Sequence, residues 1–177
     1  LDHGHRAPRD ARMEVAGLEH LRQVDGPVVF ASNHQSHLDV PIILAALPGR
    51  WRARIAPAML KEFFTAHFHP EGATRRQRLT NSLNYYLACL YFNGFPIPQR
   101  EAGTRHTLRY MGELLTDNWS ILIFPEGVRA ETGDIKPFRA GVGMIASRLD
   151  VPVVPVRLDG VDRLLHPTWM MVRPGRL

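Results

Sequence analysis

The stretch SNHQSHLDVP, Ser32 to Pro41, sets two histidines, an aspartate, an asparagine and two serines between two apolar runs, Pro27 to Ala31 and Ile42 to Leu47. An imidazole and a carboxylate at such a joint can run proton transfer. A neutral His34 would take the proton of an incoming hydroxyl, while Asp39 would fix its tautomer and stabilise the imidazolium that forms. The two residues are five apart. On one helix they would diverge by about 140°, so they converge only if His34 sits in the turn before the helix and Asp39 in its first turn. Ser36 then serves as N-cap, and Pro41 is tolerated near the helix start. A plain capping box of Ser36 with Asp39 accounts for the same residues with His34 as a bystander. The segment alone leaves both readings open.

A second cluster, FPEGVR from Phe124 to Arg129, precedes GDIKPFRAGVG, Gly133 to Gly143. Gly127 permits close backbone approach, and Arg129 can clamp phosphate oxygens in bidentate fashion. An ordinary turn with an exposed arginine would read the same way. His34, His37 and Asp39, joined by His67 and His69, could instead ligate zinc. However, His-x-x-His lacks the i, i+4 spacing of the familiar zinc helix. The chain has no Gly-x-Ser-x-Gly elbow and no Gly-Lys-Ser/Thr loop, so a serine hydrolase and a P-loop enzyme both lose their main support.

The elements that must position these residues alternate. Strands are expected at Val28 to Ser32, Arg54 to Ala58, Gly94 to Pro98, Ser120 to Phe124, Val151 to Val156 and Met170 to Val172. Helices are expected at Leu38 to Leu47, Met59 to Phe68, Gly103 to Thr116 and Phe138 to Leu149. Another is marked by Leu79, Leu83, Tyr86, Leu87 and Leu90, which recur at helical spacing. This alternation predicts an α/β fold, a single domain with a largely parallel central sheet flanked by helices. Ligands of such folds bind beyond the carboxyl ends of the strands, where both polar clusters fall.

At 177 residues, 45% hydrophobic and 22% charged, the chain suits one domain with its own core. Residues 1–14 read as a polar terminal arm and 15–177 as the domain. Leu1 at the start and Pro174-Gly175-Arg176-Leu177 at the end suggest a segment of a longer chain. A single cysteine, Cys89, lies in an apolar run, which predicts burial and suits a reducing compartment. No run approaches the roughly 20 apolar residues of a membrane span. Seven Lys/Arg against Glu62 and Glu71 between Arg50 and Arg78 carry the whole formal excess of +5, with Trp51, Phe63, Phe64 and Phe68 among them. That mixture fits an anionic membrane surface or a polyphosphate, and equally a solvated basic face over buried aromatics. It carries no recognised nucleic-acid-binding pattern, so nucleic acid is not expected as a partner.

In combination the blocks resemble the glycerolipid acyltransferase family, whose members include 1-acylglycerol-3-phosphate acyltransferases. Asn33-His34-x-Ser36-x-x-Asp39 is similar to the family's His-x4-Asp motif. GFPIPQR keeps Gly94 and Arg100 at the family's spacing, and Phe124-Pro125-Glu126-Gly127-x-Arg129 and the proline-bearing VPVVPV, Val151 to Val156, follow in order. The resemblance implies His34 as general base and Asp39 as its partner. It implies acceptor binding by Asn33, Ser36, Arg100, Glu126, Gly127 and Arg129, with no metal and no cofactor. The implied co-substrates are an acyl-CoA or acyl carrier protein thioester and a lysophospholipid, at a cytoplasmic, peripheral membrane location. Val128 departs from the family's Thr or Ser, and Pro96, Pro98 and Gln99 depart from its aromatics and acid, so acceptor identity transfers least securely. Two other function classes are compatible with the residues, a non-catalytic lipid-binding module of a larger chain and a zinc-dependent hydrolase.

Overall fold

Among the described residues five strands form one all-parallel sheet in the order β3-β2-β4-β1-β5. They are β1 Val29–Ser32, β2 Ile55–Leu60, β3 Phe95–Ile97, β4 Ser120–Ile123 and β5 Val153–Val156. The structure, a computed structural model, describes residues 13–97, 104–130 and 134–164. Arg100, Pro98, Gln99, the Met170 to Val172 segment and nearly all of the 1–14 arm therefore lie outside the described residues. The helices are α1 Asp39–Ala46, α2 Gly49–Arg52, α3 Thr65–Phe68, α4 Arg75–Phe92, α5 Thr104–Thr116, α6 Gly141–Leu149 and α7 Val161–Leu164.

The central strands are apolar on both faces, as a parallel sheet covered by helices requires. Successive side chains of a strand alternate sides. Phe30, Leu122 and Ile55 accordingly join Ile43 of α1 and Leu47, which follows it, in one core, with Trp51 set edge-on to Phe30. Val29, Ile121, Ile123 and Ala56 join Met111 of α5 and the α6 residues Val142, Ile145 and Leu149 in the other. Thus α1 and α6 cover opposite faces, and the loops leaving the adjacent strands β1 and β4 turn away to different sides. That is where an open α/β sheet leaves a crevice. Pro96 and Pro155 lie in the two edge strands, where a missing N–H costs the sheet least.

Several boundaries differ from expectation for local reasons. Met59 and Leu60 belong to β2 rather than to a helix, because they pair with Pro96 and Ile97 of β3. The helical residues there shrink to a 3-10 turn, Lys61–Phe64, and the four-residue α3. α6 begins at Gly141 rather than Phe138. The N–H groups of Lys136 and Arg139 are already given to Glu126 Oε2 and the Pro125 carbonyl. β5 begins at Val153 because the Val151 N–H closes α6 on the Ala146 carbonyl.

The expected stripe of α4 is present, but it faces outward. Leu79, Leu83, Tyr86 and Leu90 are 55–75% exposed, with Tyr91 beside them. Cys89 is half buried on the same helix. The basic stretch is also divided, since Arg54 and Lys61 stand at opposite ends of β2, about 20 Å of strand apart. Trp51 is buried, under the guanidinium of Arg50.

Candidate active site

β1 ends at Ser32, and the next residues are fixed from all sides. The Asn33 amide donates to the Leu158 carbonyl (2.9 Å) and accepts the Leu158 N–H (2.7 Å), as a strand neighbour would. The Gln35 side chain accepts the Val161 N–H. Both residues are buried, so the turn is pinned to the segment after β5.

His34 is set by the second cluster. Its N–H donates to Glu126 Oε1 at 2.8 Å, and its carbonyl accepts the Ala130 N–H at 2.8 Å. Glu126 spends its other oxygen on the Lys136 N–H. This carboxylate is buried and acts as a tie between the β1 and β4 loops. The imidazole stacks on Phe124, with ring centroids 4.1 Å apart.

Asp39 opens α1 and is fully buried. Its carboxylate turns back over the loop, accepting the N–H groups of Gln35 (2.7 Å) and Ser36 (2.9 Å) and lying 2.6 Å from His34 Nδ1. Ser36 accepts the Leu38 N–H rather than capping α1, whose N-cap is Leu38. Asp39 therefore does what both sequence readings asked of it, backbone acceptor and imidazole partner together. A carboxylate acceptor fixes the proton on Nδ1 and leaves the Nε2 lone pair as the free proton acceptor.

His34 stands at the polar end of a cavity of about 640 Å³, within the usual size of small-molecule sites. Ser36, His37, Gly127, Arg129 and Arg139 also line this end. The remainder runs between apolar side chains of β2, α4, β3, α5 and α6, including Met59, Phe92, Ile97, Met111 and Ile145. The cavity thus joins a proton acceptor and cations to a hydrocarbon-lined arm.

The cations arise from the β4–α6 loop. Arg129 donates from Nη1 to His37 Nε2 at 2.8 Å and lies 5.2 Å from the Phe63 ring centroid; its Nε is buried and has no partner among the described residues. Burial holds the Arg129 pKa below its ordinary value, against the opposing pull of Asp39. Burial, then the charges of Arg129 and His34, depress the pKa of His37. Lys136 Nζ holds the Arg129 carbonyl. Gly127 has φ +74, and a β-carbon there would come within 2.8 Å of the Arg139 guanidinium. The positive φ favours glycine, and a methyl group there would push the Arg139 guanidinium aside. Val128 is exposed.

Arg139 and the role of His37 beside Arg129 were not apparent from sequence. Arg139 lies within the GDIKPFRAGVG segment, but nothing in its spacing marked it as a neighbour of Gly127. Of the other suggested zinc ligands, His67 is held by Ser82. Among the described residues no group of His, Cys, Asp or Glu is arranged to hold a metal ion.

A family model described as Acyltransferase matches residues 12–159. The chain is 32% identical over 146 residues to human 1-acyl-sn-glycerol-3-phosphate acyltransferase beta, covering 82% of this chain and 45% of that protein. It is 27% identical over 154 residues to the chloroplastic 1-acyl-sn-glycerol-3-phosphate acyltransferase BAT2 of Brassica napus, covering 87% of this chain and 39% of that one. The crystal structure of PlsC, the 1-acyl-sn-glycerophosphate (LPA) acyltransferase of Thermotoga maritima, superposes with a TM-score of 0.63 at 26% identity, covering 95% of this chain and 57% of that one. The chain spans less than half the length of these two curated relatives.

Proposed function

Because the chain belongs to the acyltransferase family, we propose that it moves a fatty acyl group from a thioester to the hydroxyl of a lysophospholipid such as 1-acylglycerol-3-phosphate. The observation that carries this reading is the 2.6 Å His34–Asp39 pair at the cationic end of a largely apolar cavity. The acceptor hydroxyl attacks the thioester carbonyl carbon, forming a C–O bond as the C–S bond breaks. His34 Nε2 takes the hydroxyl proton and returns it to the departing thiolate, which belongs to acyl-CoA or acyl carrier protein. Asp39 stabilises the imidazolium.

Arg129 and Arg139 hold the acceptor's phosphate, and its anchoring places the hydroxyl beside His34, where proximity supplies much of the rate. Gly127 gives Arg139 its room. Asn33 and Glu126 position the loops rather than touch the acceptor, since their polar groups are already engaged. The apolar arm takes the acyl chain.

An anionic bilayer surface completes the proposal, and α4 is its docking element. Leu79, Leu83, Tyr86, Leu87 and Leu90 fall within about 100° of arc, while Asn81, Asn84, Ala88 and Phe92 line the cavity from the opposite side. Arg75 and Arg76 stand at the N-terminal end of the exposed stripe. An apolar face flanked by cations suits an anionic interface, and no described helix is long and apolar enough to cross a membrane. Flotation with anionic vesicles should exceed that with neutral ones and fall in Leu83→Glu. Equal binding to neutral vesicles would remove the electrostatic part.

Acyl transfer itself is tested by free-thiol release from palmitoyl- or oleoyl-CoA. Release that requires lysophosphatidic acid supports the proposal. Release indifferent to acceptor would make the protein a thioester hydrolase, and retained lysolipid binding without turnover from either donor would make it a lipid-binding module.

A further inference from the structure

We propose that His37 is a positioning residue for the phosphate clamp: its neutral imidazole aims the Arg129 guanidinium into the cavity without cancelling its charge. The inference rests on the acyl-acceptor reading above and assigns the part of that site which fixes its anion end. A guanidinium has only donors, so the 2.8 Å contact from Arg129 Nη1 obliges His37 Nε2 to accept. The imidazole is then neutral, with its proton on Nδ1. Among the described residues no carboxylate forms an ion pair with Arg129. The other groups on it are the face of Phe63 and, through its carbonyl, Lys136.

This is an unusual way to hold an arginine. A carboxylate at position 37 would orient the cation equally well but would neutralise it. An aliphatic side chain would leave both charge and direction unguided. A neutral acceptor supplies direction and leaves the full positive charge for an incoming anion, as does the buried Nε, which has no partner among the described residues. His37 also belongs to the short loop that carries His34. The separation between base and anion anchor is therefore set within one rigid turn, as a substrate with its hydroxyl and phosphate on a three-carbon backbone demands.

The test uses calorimetric binding of a short-chain lysophosphatidic acid and its phosphate-free monoacylglycerol to the native protein and to His37→Ala, His37→Gln and His37→Glu. Loss of the oriented cation should weaken lysophosphatidate binding about tenfold in His37→Ala. His37→Gln, whose amide oxygen can accept from Arg129, should recover most of it. His37→Glu should bind no better than His37→Ala, and the monoacylglycerol should not distinguish the variants. In turnover, the same loss should fall on the acceptor KM more than on kcat. Native-like lysophosphatidate binding in His37→Ala or in His37→Glu would overturn the assignment, as would no lysophosphatidate binding by the native protein. The predicted binding pattern without any acyl transfer would refute the transferase reading and keep this one. Transfer with an unchanged acceptor KM in His37→Ala would do the reverse.

Discussion

The two loops that meet at the cavity are built on opposite principles. The β1–α1 loop satisfies itself: Asp39 accepts backbone N–H groups and holds the imidazole, while Asn33 and Gln35 tie the turn to Leu158 and Val161. The β4–α6 loop leaves charge over. Arg129 has a neutral partner, and the Arg139 guanidinium lies over Gly127 with no side-chain hydrogen bond or ion pair among the described residues. A group that must return to the same place after each proton transfer profits from saturation. A group that must receive an anion profits from being left unpaired, because an internal carboxylate would compete with the ligand.

The sharpest way to break the first loop is at its base. His34→Ala should lower acceptor-dependent transfer by about 10²–10⁴-fold, the usual worth of a general base, with phosphorylated and phosphate-free acceptors affected alike. Asp39→Asn should lower kcat as well. It should also destabilise the fold by about 1–3 kcal/mol, because an amide serves the Gln35 and Ser36 N–H groups less well than a carboxylate does; chemical denaturation measures this.

Breaking the second loop should act through binding instead. Arg129→Ala should raise the acceptor KM by about 10- to 100-fold, the loss of a charge-assisted hydrogen bond, and should leave a phosphate-free acceptor unaffected. A loss confined to kcat, or equal for both acceptors, would erase the contrast. Gly127→Ala should be milder, raising the acceptor KM and lowering stability by about 1 kcal/mol. Its backbone sits at positive φ and its new methyl would displace Arg139.

The smallest effect concerns pH. Burial, Arg129 and His34 hold the His37 pKa below its ordinary 6.5, against Asp39. The unfolded chain therefore takes up this proton at a higher pH than the native one. The associated stability is complete above about 6.5 and is lost as pH falls through the lower native value. Thermal unfolding should show a steeper decline on acidification in the native protein than in His37→Gln; parallel curves would contradict the assigned environment.

The sequence made the base loop more legible than the cation loop. His34 and Asp39 could be singled out as a candidate pair from local spacing and the helix start, because the contact between their side chains spans only five residues. Parallel α/β architecture was legible for a similar reason: apolar runs of strand length alternate with helical stripes. The Asn33–Leu158 and His37–Arg129 contacts close across 125 and 92 residues, and nothing local encodes them. The family resemblance implied Glu126 as an acceptor ligand. Both of its carboxylate oxygens hold backbone N–H groups, those of His34 and Lys136, which local sequence does not encode. The α4 stripe had the period of a core helix, and periodicity does not say which side is covered.

The most direct test of the division between base and anchor is thiol release from oleoyl-CoA, measured against lysophosphatidic acid concentration in the native protein, His34→Ala and Arg129→Ala. The account predicts acceptor-dependent release that disappears in His34→Ala at every concentration and is recovered at high acceptor in Arg129→Ala. Undiminished release in His34→Ala would contradict it.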